Sequence, residues 1–216
     1  PPTREDRAFA GRVAVAMAAW KDYLRSHGVR AFKILVGPNK TTIYPEHAAD
    51  WMHSPQPTVM DAFLQDAGPA YIDVRKALLS AKARAPQAIY YRTDSHWNAL
   101  GAGVAFRQLA QAVSAEAPEI RWPSESIYLP SGSRTIGGGD LSKFLLLTSV
   151  MQEDEPRIAL QDIPDTIRQT DMDSGKVVYD GANVTLGMTA TPIIVHNEDA
   201  LNHRRVIWLR DSFGTA

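Results

Sequence analysis

The chain has 216 residues, 44% of them hydrophobic and 22% charged, with a formal net charge of -1. This composition suits one globular domain with a sizeable core, or at most two small ones, and excludes wholesale disorder, a fibrous protein and a global electrostatic footprint for nucleic acid. The absence of cysteine excludes disulfides, thiolate metal sites and a cysteine nucleophile.

The opening Pro1-Pro2-Thr3-Arg4-Glu5-Asp6 has neither the basic nor the apolar region of a signal peptide and reads as a trimmed or processed end. No apolar run approaches the ~20 residues that span a bilayer. Phe9, Val13, Met17, Trp20 and Leu24 recur at spacings of three and four, predicting an amphipathic helix capped by Thr3 with Asp6 and stopped near Gly28. Residues 31–36 read as a buried strand ended by Gly37-Pro38-Asn39, and a helix followed closely by a strand suggests α/β architecture. Prolines 45, 55 and 57 mark 44–57 as a loop. A helix over 58–67, a short strand at 71–74 and a helix through Leu78, Leu79 and Lys82 follow. A strand at 88–91 runs into Arg92-Thr93-Asp94-Ser95-His96-Trp97, and then a helix over 99–115 with Asn98 as its cap and Ala102, Phe106, Leu109 and Val113 as its apolar face. Beyond Pro118 proline and glycine become frequent. Gly137-Gly138-Gly139 precedes a predicted apolar helix at 141–147, 177–195 alternates like a hairpin around Asp180-Gly181, and 206–209 reads as a last strand. The expected organisation is a single domain over 1–216, with a β-rich, loop-rich insertion at 118–201. Because 206–209 is followed only by a turn, further residues of the domain are expected beyond Ala216.

Two short constellations carry chemistry. In Asp94-Ser95-His96, a loop after a strand and before a capped helix lets the carboxylate bond imidazole Nδ1 and leaves Nε2 as a general base. Taken alone, the same residues also suit an ordinary helix start. In Asp211-Ser212-Phe213-Gly214, a Ser directly after a run of strand formers has the layout of a nucleophile turn that aims backbone N–H groups at a developing oxyanion. Taken alone, it also reads as a polar turn. Together they make a complete Ser-His-Asp set, which a weakly nucleophilic Ser hydroxyl needs for activation.

Gly37-Pro38-Asn39-Lys40 with Ile43-Tyr44-Pro45, then Tyr91-Arg92-Thr93-Asp94-Ser95-His96-Trp97, Gly139-Asp140-Leu141 and Asp211-Ser212-Phe213-Gly214, span nearly the whole chain. In this order they resemble the alginate O-acetyltransferase family, circularly permuted SGNH-hydrolase-like proteins of exopolysaccharide acetylation. The resemblance implies a three-layer α/β domain with a mainly parallel central sheet. It implies Ser212 as nucleophile, His96 as general base, Asp94 as the group orienting His96, the Ser212 N–H as part of an oxyanion hole, and Trp97 as packing beneath the loop. Lys40 and Arg92 are assigned no catalytic role. The sequence departs from the SGNH pattern at Arg210, where a Gly usually precedes Asp-Ser; an Arg there either helps hold an anionic substrate or points to solvent. The remaining oxyanion-hole blocks are expected after Ser212.

The resemblance further implies O-acetyl transfer onto hydroxyls of a secreted bacterial polysaccharide, with no metal or organic cofactor. The acetyl donor is expected to be reached through a membrane-bound O-acyltransferase in a membrane-associated complex, and the location to be periplasmic or tethered facing the periplasm. A carbohydrate acetylesterase with the same triad, or a non-catalytic polysaccharide-binding or assembly subunit, are the alternatives. Elsewhere, His47, Asp50 and His53, like His196 and His203, match no standard ligand spacing and read as solvated loops. Gly137-Gly138-Gly139 lacks the Lys-Ser/Thr of a P-loop and reads as a flexible bend. Trp51, Trp122 and Tyr128 suit sugar stacking or core packing. Glu153-Asp154-Glu155 reads as a solvated loop.

Overall fold

Thr3 and Asp6 form the reciprocal cap that their spacing predicts. In the computed structural model, which describes residues 2–52, 57–66, 68–159, 166–181 and 191–215, Asp6 N–H donates to Thr3 Oγ1 at 3.1 Å and Thr3 N–H donates to Asp6 Oδ2 at 2.8 Å. This box opens helix α1 (Arg4–Ser26), and Gly28 beyond its end takes φ +88°, the left-handed region that glycine enters without strain. The buried face of α1 is not the stripe read from the sequence. Ala10 is buried and Val13, Met17 and Leu24 are half-buried, while Phe9 and Trp20 are exposed.

The chain divides into two compact units, residues 1–90 with 103–119, and residues 91–102 with 120–216. In the first, β1 (Ile34–Val36), helix α2 (Lys40–Ile43), helix α3 (Val59–Asp66), β2 (Tyr71–Asp73) and helix α4 (Arg75–Arg84) follow α1. β1 and β2 pair in parallel, with Leu35 opposite Ile72. Ile43, Ile72, Val74, Leu78, Ile89 and Ala105 are buried; removing each of the larger aliphatic side chains from water contributes about 1.5–3 kcal/mol. Buried Tyr90 donates its hydroxyl to Pro38 O at 2.7 Å, and Lys82 donates to Ile43 O at 2.7 Å. The predicted loop at 44–57 holds two single 3₁₀ turns, Pro45–His47 and Asp50–Met52; His53 and Pro55 lie outside the described residues.

Helix α5 (Ala99–Ser114) begins in the second unit, where Asn98 Oδ1 accepts from the N–H groups of Leu100 and Gly101, as a cap should. Strands β3 (Pro130–Gly137) and β4 (Gln152–Ile158) pair antiparallel around helix α6 (Asp140–Phe144). Strand β5 (Ile167–Asp171) lies between β6 (Val177–Gly181) and β7 (Ile193–His196), antiparallel to both. Among the described residues, parallel pairing is confined to β1 and β2.

Four expectations give way here. Residues 88–91 form no ladder strand; Tyr91 N–H instead donates to His96 O at 3.2 Å, closing the chain into the loop that carries Asp94. The hairpin turn lies at 172–176 rather than at Asp180-Gly181, which end β6; residues 182–190 of the expected hairpin lie outside the described residues. In the turn, Asp171 Oδ1 accepts from Ser174 N–H and Oγ–H, and Gly175 takes φ +69°. The apolar helix stops at Phe144 because Leu146 takes φ +58°, leaving Phe144, Leu145 and Leu146 exposed. Residues 206–209 join no ladder among the described residues, and all four side chains are exposed; strand propensity without a pairing partner does not make a strand. Among the described residues, no helix is long and apolar enough to cross a membrane.

Candidate active site

The site is built on the loop between Tyr91 and Asn98, and it lies within the second unit. Glu153 of β4 grips the start of this loop. Its Oε1 accepts from Arg92 N–H at 2.8 Å, and its Oε2 accepts from Thr93 N–H at 2.6 Å and Thr93 Oγ–H at 2.7 Å. Glu153 is only 5% exposed, so the solvated-loop expectation fails for it. Three converging donors make that burial tolerable. Its neighbour Glu155 accepts from the Tyr91 hydroxyl at 2.9 Å and also pairs with Arg134. Burial, reinforced by Glu155, pushes the Tyr91 hydroxyl pKa up and keeps it protonated.

The middle of the loop aims two side chains. Asp94 Oδ1 accepts from His96 N–H at 3.0 Å and lies 2.6 Å from His96 Nδ1, while Oδ2 accepts from Asp140 N–H at 2.8 Å. Burial raises the Asp94 pKa, but the hydrogen bonds from the backbone of Asp140 and His96 and from the His96 ring together outweigh it and hold the carboxyl below its ordinary value. An ionised carboxylate only accepts, so Nδ1 carries the hydrogen of this contact, and in that tautomer Nε2 is the acceptor. Ser212 Oγ lies 2.7 Å from Nε2 and donates to it. Ser212, His96 and Asp94 therefore form an unbroken hydrogen-bonded line.

The turn that carries Ser212 is a short 3₁₀ segment, Ser212–Thr215. Asp211 Oδ1 caps it by accepting Phe213 N–H at 2.9 Å, and Arg210 closes it by donating to Gly214 O at 3.1 Å. Arg210 thus has a local role that the sequence did not suggest. A Cβ on Gly214 would lie 2.6 Å from Arg210 Cβ, so the turn needs glycine there. Trp97, 3% exposed, donates Nε1–H to Phe213 O at 2.8 Å, and the Phe213 ring meets both His96 and Trp97, with centroids 4.8 and 5.0 Å away. Trp97 therefore ties itself to the turn that carries Ser212.

Gly138 and Gly139 are a steric requirement rather than a flexible bend, whereas Gly137 has open space where a Cβ would go. A Cβ on Gly139 would lie 2.4 Å from Asp94 Cβ, and one on Gly138 would lie 2.4 Å from Ser142 Oγ. Asp140, next in sequence, accepts from Ser95 N–H at 2.7 Å through Oδ1 and from Ser95 Oγ–H through Oδ2. Asp140 and Glu153 are the residues that sequence reasoning missed. Asp140 lies in a block that the resemblance had already marked, whereas nothing in an acidic run marks Glu153. Asp94, His96 and Asp140 offer ligand atoms within 4.8 Å of one another, close enough to share a cation. A cation at Nδ1 would have to displace the Asp94 contact that orients the ring. Of the other candidates, Trp51 is 84% exposed, His47 stacks on Tyr44, and His196 and His203 are exposed.

The family model described as an SGNH hydrolase-like domain, acetyltransferase AlgX, matches residues 2–195, a range that includes Asp94 and His96 but not Ser212. Among curated proteins, a probable alginate O-acetylase AlgJ of Pseudomonas syringae pv. tomato is 27% identical over 79% of this chain and 44% of its own length. A protein of the same name from Pseudomonas aeruginosa is 32% identical over 62% of this chain and 34% of its own length. The chain thus spans less than half the length of these relatives. The solved O-acetyltransferase domain of Pseudomonas putida AlgJ superposes with a TM-score of 0.51 at 24% identity, covering 76% of this chain and 62% of that one.

Proposed function

The chain belongs to this SGNH hydrolase-like acetyltransferase family, and from that premise we propose that it transfers acetyl groups onto hydroxyls of a secreted bacterial polysaccharide. Alginate is the acceptor to test first, because the curated relatives are named for it. The observation that carries the reading is the line from Asp94 Oδ1 through His96 Nδ1 and Nε2 to Ser212 Oγ, at 2.6 and 2.7 Å. Ser212 Oγ attacks the acetyl carbonyl while His96 Nε2 takes its proton. The leaving group departs with that proton, and an acetyl ester of Ser212 remains. A sugar hydroxyl then attacks the ester as His96 takes the hydroxyl's proton; collapse releases the acetylated sugar and returns the proton to Ser212. Asp94 favours the imidazolium that forms in each half, and the Ser212 N–H contributes to the oxyanion hole.

The setting that follows is the periplasm, with the acetyl donor delivered by a membrane-bound O-acyltransferase. The test is intact-mass analysis after incubation with an activated acetyl ester, using wild type, Ser212→Ala and His96→Ala. One acetyl group on Ser212, absent from both variants, is the expected result. Acetylation that persists in Ser212→Ala, or a wild type that never acquires it, refutes the triad. Transfer to added alginate oligosaccharide separates a transferase from an esterase, which releases acetate to water.

A further inference from the structure

We infer that Asp140 is a positioning residue of this site: its carboxylate clamps Ser95 and so holds the His96 ring between Asp94 and Ser212. The inference rests on the acetyl-transfer reading above. Asp140 occupies the first position of α6, and its side chain, 30% exposed, turns back onto the loop. Both carboxylate oxygens are used on one residue, Oδ1 for Ser95 N–H at 2.7 Å and Oδ2 for Ser95 Oγ–H. Its own N–H donates to Asp94 Oδ2 at 2.8 Å. Asp140 therefore touches the residue before the base and the group that orients the base, yet its Oδ2 stands 3.7 Å from His96 Nδ1, outside hydrogen-bond range. The two carboxylates act at different points: Asp94 bonds the imidazole, and Asp140 fixes the backbone before it together with the Ser95 hydroxyl, which lies 3.4 Å from His96 Nδ1. Leu141 N–H and Ser142 N–H both donate to Thr93 O, at 3.1 and 3.3 Å, so the helix that presents Asp140 is tied to the same loop.

A clamp of this kind matters because a base displaced by a fraction of an ångström loses its line to the hydroxyl. The test compares wild type with Asp140→Ala, Asp140→Asn, Ser95→Ala and the Ser95→Ala/Asp140→Ala double variant. It uses an activated acetyl ester, rates normalised to titrated active sites, and the proton NMR resonance of His96 Nδ1–H, assigned by its loss in His96→Ala. Asp140→Ala is expected to lower kcat about tenfold or more while the donor KM stays within about twofold. The Nδ1–H resonance should broaden or move upfield. Asp140→Asn, whose amide oxygen still accepts Ser95 N–H, should recover most of both signals. The double variant should be no worse than Asp140→Ala alone, since Asp140→Ala already removes the one carboxylate bond that Ser95→Ala breaks. Unchanged kcat per site and an unchanged resonance in Asp140→Ala, even with a lower melting temperature, overturn the inference. So does an Asp140→Asn variant as impaired as Asp140→Ala, which would make charge rather than the clamp the relevant property. A wild type that never forms acetyl-Ser212, but whose resonance shifts in Asp140→Ala, refutes acetyl transfer and upholds the clamp.

Discussion

Gly139→Ala places a methyl group where Asp94 already stands. A Cβ on Gly139 lies 2.4 Å from Asp94 Cβ, 2.5 Å from Oδ2 and 2.9 Å from Cγ. Carbon atoms rest about 3.5–4.0 Å apart, so one partner must retreat by more than ~1 Å. No rotamer of Asp94 relieves the contact, because Cβ moves only with its own backbone. That backbone is held by the neighbouring loop bonds from Arg92 and Thr93 to Glu153. A retreat of this size stretches the 2.6 Å bond from Asp94 to His96 Nδ1 beyond hydrogen-bond range. The expected cost is about 1–3 kcal/mol of stability from overpacking, and about 100-fold in the rate of acetyl-enzyme formation from misplacing the base by ~1 Å. Quenched-flow intact-mass kinetics with an activated acetyl ester measures the second, and urea unfolding measures the first. A Gly139→Ala protein that forms acetyl-Ser212 within about twofold of the wild-type rate and unfolds at the same urea concentration would refute the close approach of Gly139 to Asp94.

Three further outcomes follow from the same geometry. Glu153→Gln turns an amide NH₂ toward the N–H of either Arg92 or Thr93 whichever way it is placed, and should destabilise the fold by about 1–3 kcal/mol in urea titration. The Asp94 carboxyl is held below its ordinary value of 3.8, so its contribution to stability is fully present above that pH and is lost as pH falls through the folded-state value. Asp94→Asn should therefore flatten the loss of stability below about pH 4 and leave its shape at neutral pH unchanged, as read from unfolding free energies across an acid series. Gly11 lies within α1 with open space where a Cβ would go. Gly11→Ala should stabilise the protein by about 0.5–1 kcal/mol, seen as a higher urea midpoint, because alanine loses less backbone freedom on entering a helix.

The sequence by itself determined what depends on neighbours a few residues away. Thr3 with Asp6 and Asn98 before α5 are caps whose partners lie within three residues, so their chemistry is written locally. Asp94 and His96 are two positions apart, and one carboxylate meets both the backbone and the ring of the same histidine; that pairing needs no distant partner. What only the tertiary structure decided is the meeting of groups far apart in the chain. Ser212 reaches His96 across 116 positions, and the apolar run before Ser212 joins no ladder among the described residues although its composition favours a strand, because pairing rather than propensity makes a ladder. Glu153 looks like one acid in a solvated run, yet it is buried because the Arg92–Thr93 backbone, some 60 residues away in sequence, supplies the donors that offset its desolvation. Gly139 reads as a flexible bend until Asp94 occupies the space where its side chain would be. Hydrogen bonds and steric exclusion act through space, and the spacing of letters along a chain records only the part of that space the chain revisits within a turn or two.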